Sequence, residues 1–156
     1  MLYNMRRGFT LIELLIVIGI SSLLIGFTYS SFRLLNQSQA LGKDANLVAT
    51  VLHEARAETL ASKNGNQYGV HFETNKIVLF IGTTYSSVDS TNINFPLNTL
   101  VTISTINIMG GGSEVVFDRL TGDTSQTGTV TLSLISTPTS IRTITVSGAG
   151  LIEVAP

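Results

Sequence analysis

Glu13 is the one charge between Phe9 and about Tyr29, in a stretch that is otherwise mostly apolar. About 20 apolar residues cross the hydrocarbon core of a bilayer, so the run is long enough to span one. A carboxylate inside such a helix costs roughly 2.5–3.5 kcal/mol on insertion scales, which makes it a functional candidate by default. Its chemistry would be electrostatic. Arg6 and Arg7 stand just before Gly8. Basic residues on that flank predict a cytoplasmic N-terminus with the bulk of the chain outside. A secretory signal has a shorter apolar core with a small-residue cleavage site behind it. Here the small residue, Gly8, comes before the run. A cut after Gly8 would remove the arginines, keep the helix and leave a positive amine on Phe9. That amine and Glu13 are about one turn apart in one chain. The amine of one copy would therefore neutralise Glu13 of the next if helices stack with a small axial offset. The alternative is a tolerated carboxylate near the interface, snorkelling to the headgroups.

The other reactive residue types lack partners. His53 and His71 have no second ligand at metal spacing and are expected to be structural or surface residues. Asp118 and Asp123 bracket Gly122. A calcium site needs more oxygen ligands than this segment offers, so a plain turn is expected. Gly110-Gly111-Gly112 is not followed by the Lys-Ser/Thr of a phosphate loop. The many serines and threonines come without a His–acid pair in a recognisable motif. No enzyme, cofactor or metal is expected. There is no cysteine, so the fold must hold by sheet pairing and packing, without a disulfide. The formal charge is −1, and after Lys63 the cations are Lys76, Arg119 and Arg142, scattered in sequence. The tail Leu151–Pro156 is acidic and apolar. Phosphate contacts need clustered Lys and Arg, so nucleic acid is not an expected partner.

The elements that would carry these residues follow from periodicity. At 156 residues there is room for one modest domain and an anchor. Leu34, Leu41, Val48 and Ala55 recur every seven residues, joined by Ala45, Leu52 and Thr59, which makes one face of a long helix. Lys43, Asp44, Asn46, Glu54 and Arg56 are placed on other faces. Lys63-Asn64-Gly65-Asn66 reads as the stop, with Gly65 as the C-cap. A helix from Phe9 to Ser62 would be roughly 80 Å long. Beyond Gly65, Thr, Ser, Val, Ile and Gly take over and favour strands. Residues 67–72 and 76–81 read as a hairpin around 73–75. Residues 83–91 read as a Ser/Thr-rich loop, 92–95 as a short strand ended by Pro96, and 100–108 as a longer strand. After a glycine turn at 109–113, strands are expected at 114–117 and 129–135, flanking 118–123. Two more, at 141–146 and 151–154, are joined at 147–150. Val130, Leu132 and Leu134 alternate as in an antiparallel sheet with one solvated face.

Arg6-Arg7-Gly8-Phe9-Thr10-Leu11-Ile12-Glu13 resembles the class III signal of type IV pilins and type II secretion pseudopilins. The resemblance implies cleavage between Gly8 and Phe9 by a prepilin peptidase, N-methylation of Phe9, and Glu13 as the residue that promotes subunit docking. Many major pilins carry a helix-kinking proline late in the apolar run; here the first proline is Pro96. The segment His53–Leu60, the strand Tyr68–Phe72, Val116-Phe117-Asp118 with Gly122, and Ile144–Ser147 before Gly148 and Gly150 resemble the GspH/FimT type of minor pilin and pseudopilin. The implied fold is pilin-like α+β: a long N-terminal helix, half hydrophobic and half amphipathic, packed on a β-rich antiparallel C-terminal domain. The implied division is a leader at 1–8, a transmembrane or filament-core helix at 9–30, its amphipathic continuation at 31–63 and a globular domain at 64–156. The implied role is a filament subunit of a pilus-like or type II secretion system. Its partners would be other subunits, the prepilin peptidase and an inner-membrane assembly platform. It would sit as a single-pass inner-membrane protein with an extracytoplasmic domain before entering the filament. A pilus-tip binding module, an adhesin or a DNA receptor for competence, is the alternative.

Overall fold

The computed structural model describes residues 9–155, except for the side chains of residues 28–31 and 33. The expected leader, with Arg6, Arg7 and Gly8, lies outside the described residues. The chain divides into two compact units, Met1–Asn36 and Gln37–Pro156. Helix α1 runs Leu11–Leu60, with no proline to interrupt it.

In the first unit the described apolar side chains are exposed. Phe9, Leu11, Ile12, Leu14, Leu15, Ile16, Val17, Ile18, Ile20, Leu23, Leu24, Ile25 and Phe27 are all more than half exposed. Among the described residues no helix is long and apolar enough to cross a membrane. The described side chains of the apolar run end at Phe27.

In the second unit the heptad stripe is the buried face. Leu41, Ala45, Val48, Leu52, Ala55 and Thr59 are buried, and Ala40 and Val51 join them. Leu34 differs: it belongs to the first unit and is 68% exposed. Asp44 is a correction, because it is buried on the stripe at 7% exposure. Position 44 follows Leu41 by three and precedes Val48 by four, the spacing that puts residues on one helix face. The carboxylate is accommodated because its Oδ2 takes the Asn98 N–H at 2.8 Å. Burial nevertheless raises its pKa above the ordinary carboxylate value, against the lowering effect of that hydrogen bond. A raised folded-state pKa means that stability is full below the unfolded value near 3.8 and declines as pH rises through the folded value. Asp44→Asn keeps an acceptor without the charge. Thermal unfolding at pH 7 should show it as stable as the parent or slightly more so. Asp44→Ala should lose about 1 kcal/mol through the unpaired amide.

The helix also ends earlier than expected. Its last residue is Leu60. The left-handed residue that turns the chain is Ser62, at φ 47°, while Gly65 closes a following 3-10 turn, Lys63–Gly65. Buried Thr59 makes the exit rigid: its hydroxyl donates to Ala55 O at 2.8 Å and accepts the Tyr68 N–H at 2.9 Å.

Eight strands follow: β1 Tyr68–Phe72, β2 Lys76–Ile81, β3 Ile93–Pro96, β4 Val101–Ile108, β5 Glu114–Val116, β6 Gly128–Leu134, β7 Ile141–Val146 and β8 Ile152–Ala155. All eight stretches read as strands in the sequence are strands, with small shifts at their ends. They form two antiparallel sheets, ordered β3-β2-β1-β5 and β4-β6-β7-β8. Pro96 is inside β3 rather than beyond it; β3 is an edge, where a missing N–H does no harm. Val130, Leu132 and Leu134 are buried, and so is Ser133 between them. The stripe of α1 and both sheets share one core: Val48, Leu52 and Ala55 cluster with Val70, Phe72 and Ile77 of the first sheet and with Val130, Leu132 and Ile144 of the second. This is the expected α+β architecture.

Candidate functional site

Thr10 stands immediately before α1, and its Oγ1 accepts the Glu13 N–H at 3.3 Å. The first helical backbone bond, Leu14 N to Thr10 O, is 3.2 Å. Thr10 is thus the N-cap and Glu13 the third helical residue, the Thr-x-x-Glu spacing of a capping box. That signal is readable in the sequence. It gives Glu13 a second stabilising influence, since a carboxylate in the first turn lies at the positive end of the helix dipole. The dipole contributes about 0.3–1 kcal/mol at exposed sites. That offsets only part of the roughly 2.5–3.5 kcal/mol insertion penalty. A full partner is still required, and among the described residues no cation stands within 4 Å of the Glu13 carboxylate. Phe9 is 82% exposed.

A second constellation lies at the end of the helix. Arg56 is expected on a face other than the apolar stripe. It is half-buried, with Nε donating to Gly122 O at 3.0 Å and Nη2 donating to Ala149 O at 3.2 Å. The 118–123 loop follows β5 of one sheet, and the 147–150 turn joins β7 and β8 of the other. The guanidinium fork therefore ties one helix to both sheets. Three segments that carry the GspH/FimT resemblance, around Arg56, Gly122 and Gly150, meet at this point. Gly122 and Gly150 both take positive φ, 68° each.

The remaining candidates stay apart. His53 is exposed. His71 lies in β1, beside Glu114 of β5. Asp118 accepts from Gln67 Nε2 at 3.2 Å and its N–H donates to Asp123 O at 2.8 Å, which closes the loop. Among the described residues no three His or acidic groups could hold a metal ion. Lys76 is engaged by Glu73 at 3.2 Å. Arg142 lines an open groove of about 330 Å³ with Gly42 and Asn46. Arg119 belongs to the 118–123 loop, whose Gly122 lies against Arg56 and Leu60.

The prokaryotic N-terminal methylation motif family matches residues 3–29. No curated protein matches the chain. The fold is similar to that of the type IV minor pilin FimU of Pseudomonas aeruginosa in two crystal forms. In one the identity is 15% and the TM-score 0.56, covering 74% of this chain and 93% of that one. In the other the identity is 14% and the TM-score 0.57, covering 74% and 88%. The minor pseudopilin EpsH from the Type 2 Secretion System of Vibrio cholerae is similar at 13% identity and a TM-score of 0.55, covering 74% of this chain and 95% of that one. At such identities the likeness is one of fold. The chain thus carries an N-terminal methylation motif at its start and, behind it, an α+β fold like that of these minor pilin and minor pseudopilin structures.

Proposed function

We propose that the protein is a minor pilin or pseudopilin of the GspH/FimT type, a structural subunit of a type IV pilus-like or type II secretion filament. In this reading the chain is a structural protein and not an enzyme. In this reading Arg6 and Arg7 orient the precursor with its N-terminus in the cytoplasm and the 64–156 domain outside the inner membrane. A prepilin peptidase cuts between Gly8 and Phe9, and Phe9 is N-methylated. The assembly platform then moves the subunit into the filament, where the Phe9 amine of one subunit pairs with Glu13 of its neighbour.

One observation supports this most: an apolar helical face exposed from Phe9 to Phe27, with a single capped carboxylate in its first turn. Uncovered apolar surface of that extent marks a membrane or protein interaction site. A lipid span alone would explain the apolar face but would leave Glu13 without a partner. The test is fractionation of the native host with an epitope on the chain. Recovery in sheared filaments, dependent on the other subunits, is expected. A chain confined to the membrane fraction, in cells that do assemble the filament, rules the reading out. Neighbouring genes for the secretion or pilus apparatus would identify which filament it is.

A further inference from the structure

The first sheet has a covered outer face that lies apart from the helix-side core. Gly69 and His71 of β1, Val78 and Phe80 of β2, and Glu114 and Val116 of β5 are register partners on that face. Val78, Phe80 and Val116 are buried there, outside the main cluster. Gly69 leaves room for the Phe80 ring, since a Cβ would sit 2.5 Å from Phe80 Cζ.

Loop 82–92 lies against this face through Tyr85. The Tyr85 ring stacks on His71 at 3.9 Å, with 12° between planes, and meets Phe80 edge-on at 5.7 Å. Its N–H donates to Glu114 Oε2 at 3.1 Å. Further along, the loop is tied to itself: Asp89 Oδ1 accepts the Thr91 N–H and hydroxyl, and the Asn92 amide donates to Ser86 O. His71 Nδ1 is buried without a hydrogen-bond partner. Glu114 Oε2 is 3.8 Å from it, beyond hydrogen-bond reach, and already serves Tyr85.

We propose that loop 82–92 is an acid-released strap: a proton on His71 charges a ring held buried under Tyr85 without a hydrogen-bond partner, and the strap lifts from His71 and Phe80 so that water can reach the charge. The charges that face His71 are few. Glu114 and Glu73 favour its protonation, and Lys76 and burial oppose it. The strap contributes the neutral Tyr85, and its Asp89 is exposed and occupied by Thr91. Burial outweighs the carboxylates and holds His71 below the ordinary histidine value. The lifted state, with a solvated imidazole, therefore binds the proton more readily. Closure is complete above the ordinary value of 6.5 and weakens as pH falls below it.

Hydrogen exchange of the full chain in detergent, corrected for intrinsic pH dependence, tests this directly. Between pH 7.5 and 5.5, protection of amides 83–92 should fall about three- to tenfold, within what one linked proton permits, while β6 keeps its protection. His71→Phe, which keeps a stacked ring without the titration, should hold the strap closed at both pH values. His71→Gln serves the same purpose if the phenylalanine variant fails to fold. A pH response that survives both substitutions overturns the proposal. So does a strap whose protection ignores pH, or one that opens only when β6 opens with it.

Discussion

A Glu13→Ala chain should enter the membrane as well as the parent and fail to enter filaments. Alanine removes the insertion penalty of the carboxylate, roughly 2.5–3.5 kcal/mol, so insertion and orientation are preserved. Assembly loses more than it gains. Removing one member of a buried ion pair costs about 3–5 kcal/mol, because the partner charge is left uncompensated. At 1.4 kcal/mol per tenfold, incorporation should drop by about 100-fold or more. Quantifying the variant in sheared filaments and in membranes separates the two effects. Incorporation at the parental level would mean that the Phe9 amine and Glu13 do not pair between subunits. Glu13→Gln should fall between the two, since an amide still accepts a hydrogen bond from the amine.

The largest effect on folding is expected at Gly150. Its φ is +68°, and a Cβ there would lie 2.0 Å from Gly122 O and 2.6 Å from Arg56 Nε. A left-handed alanine costs about 1–2 kcal/mol, and the forced shift of the surrounding backbone about 1–3 more. Gly150→Ala should therefore lose about 2–5 kcal/mol, a lowering of Tm by roughly 5–15 °C for a domain of this size. Gly148, in the same turn, is the control. Its nearest neighbours to a Cβ are at 3.7 and 3.9 Å, so Gly148→Ala should shift stability by no more than about 0.5 kcal/mol. Equal losses at the two positions would show that the Arg56 junction is not what holds this turn.

Much of the fold is legible in the residues. Leu41, Val48 and Ala55 announce the helix face at seven-residue spacing, and alternation marks β6. The strand stretches carry enough Val, Ile and Thr, bounded by glycine or Asx turns, to be found one by one. What periodicity misses is long-range. Nothing local says that β5 leaves β4 to pair with β1, or that Arg56 reaches carbonyls 66 and 93 residues away. The charge of Asp44 points to solvent while its spacing puts it on the buried face, and its compensating partner, the Asn98 amide, is 54 residues distant. The covered outer face is invisible for the same reason: loop 82–92 reads as polar, and only the folded chain shows Tyr85 laid on His71. At the N-terminus the position is reversed. The roles proposed for Gly8, Phe9 and Glu13 rest on the sequence motif, and an isolated chain contains no second subunit to complete the pair.

The most direct test is the N-terminus of the chain taken from its native envelope, read by intact-mass and N-terminal peptide spectrometry. The predicted product begins at Phe9, lacks residues 1–8 and carries one methyl group on its amine. A chain that keeps Met1 through Gly8 in a host with an active prepilin peptidase, or one cut at any other bond, contradicts the proposed processing and removes the amine that Glu13 is proposed to meet.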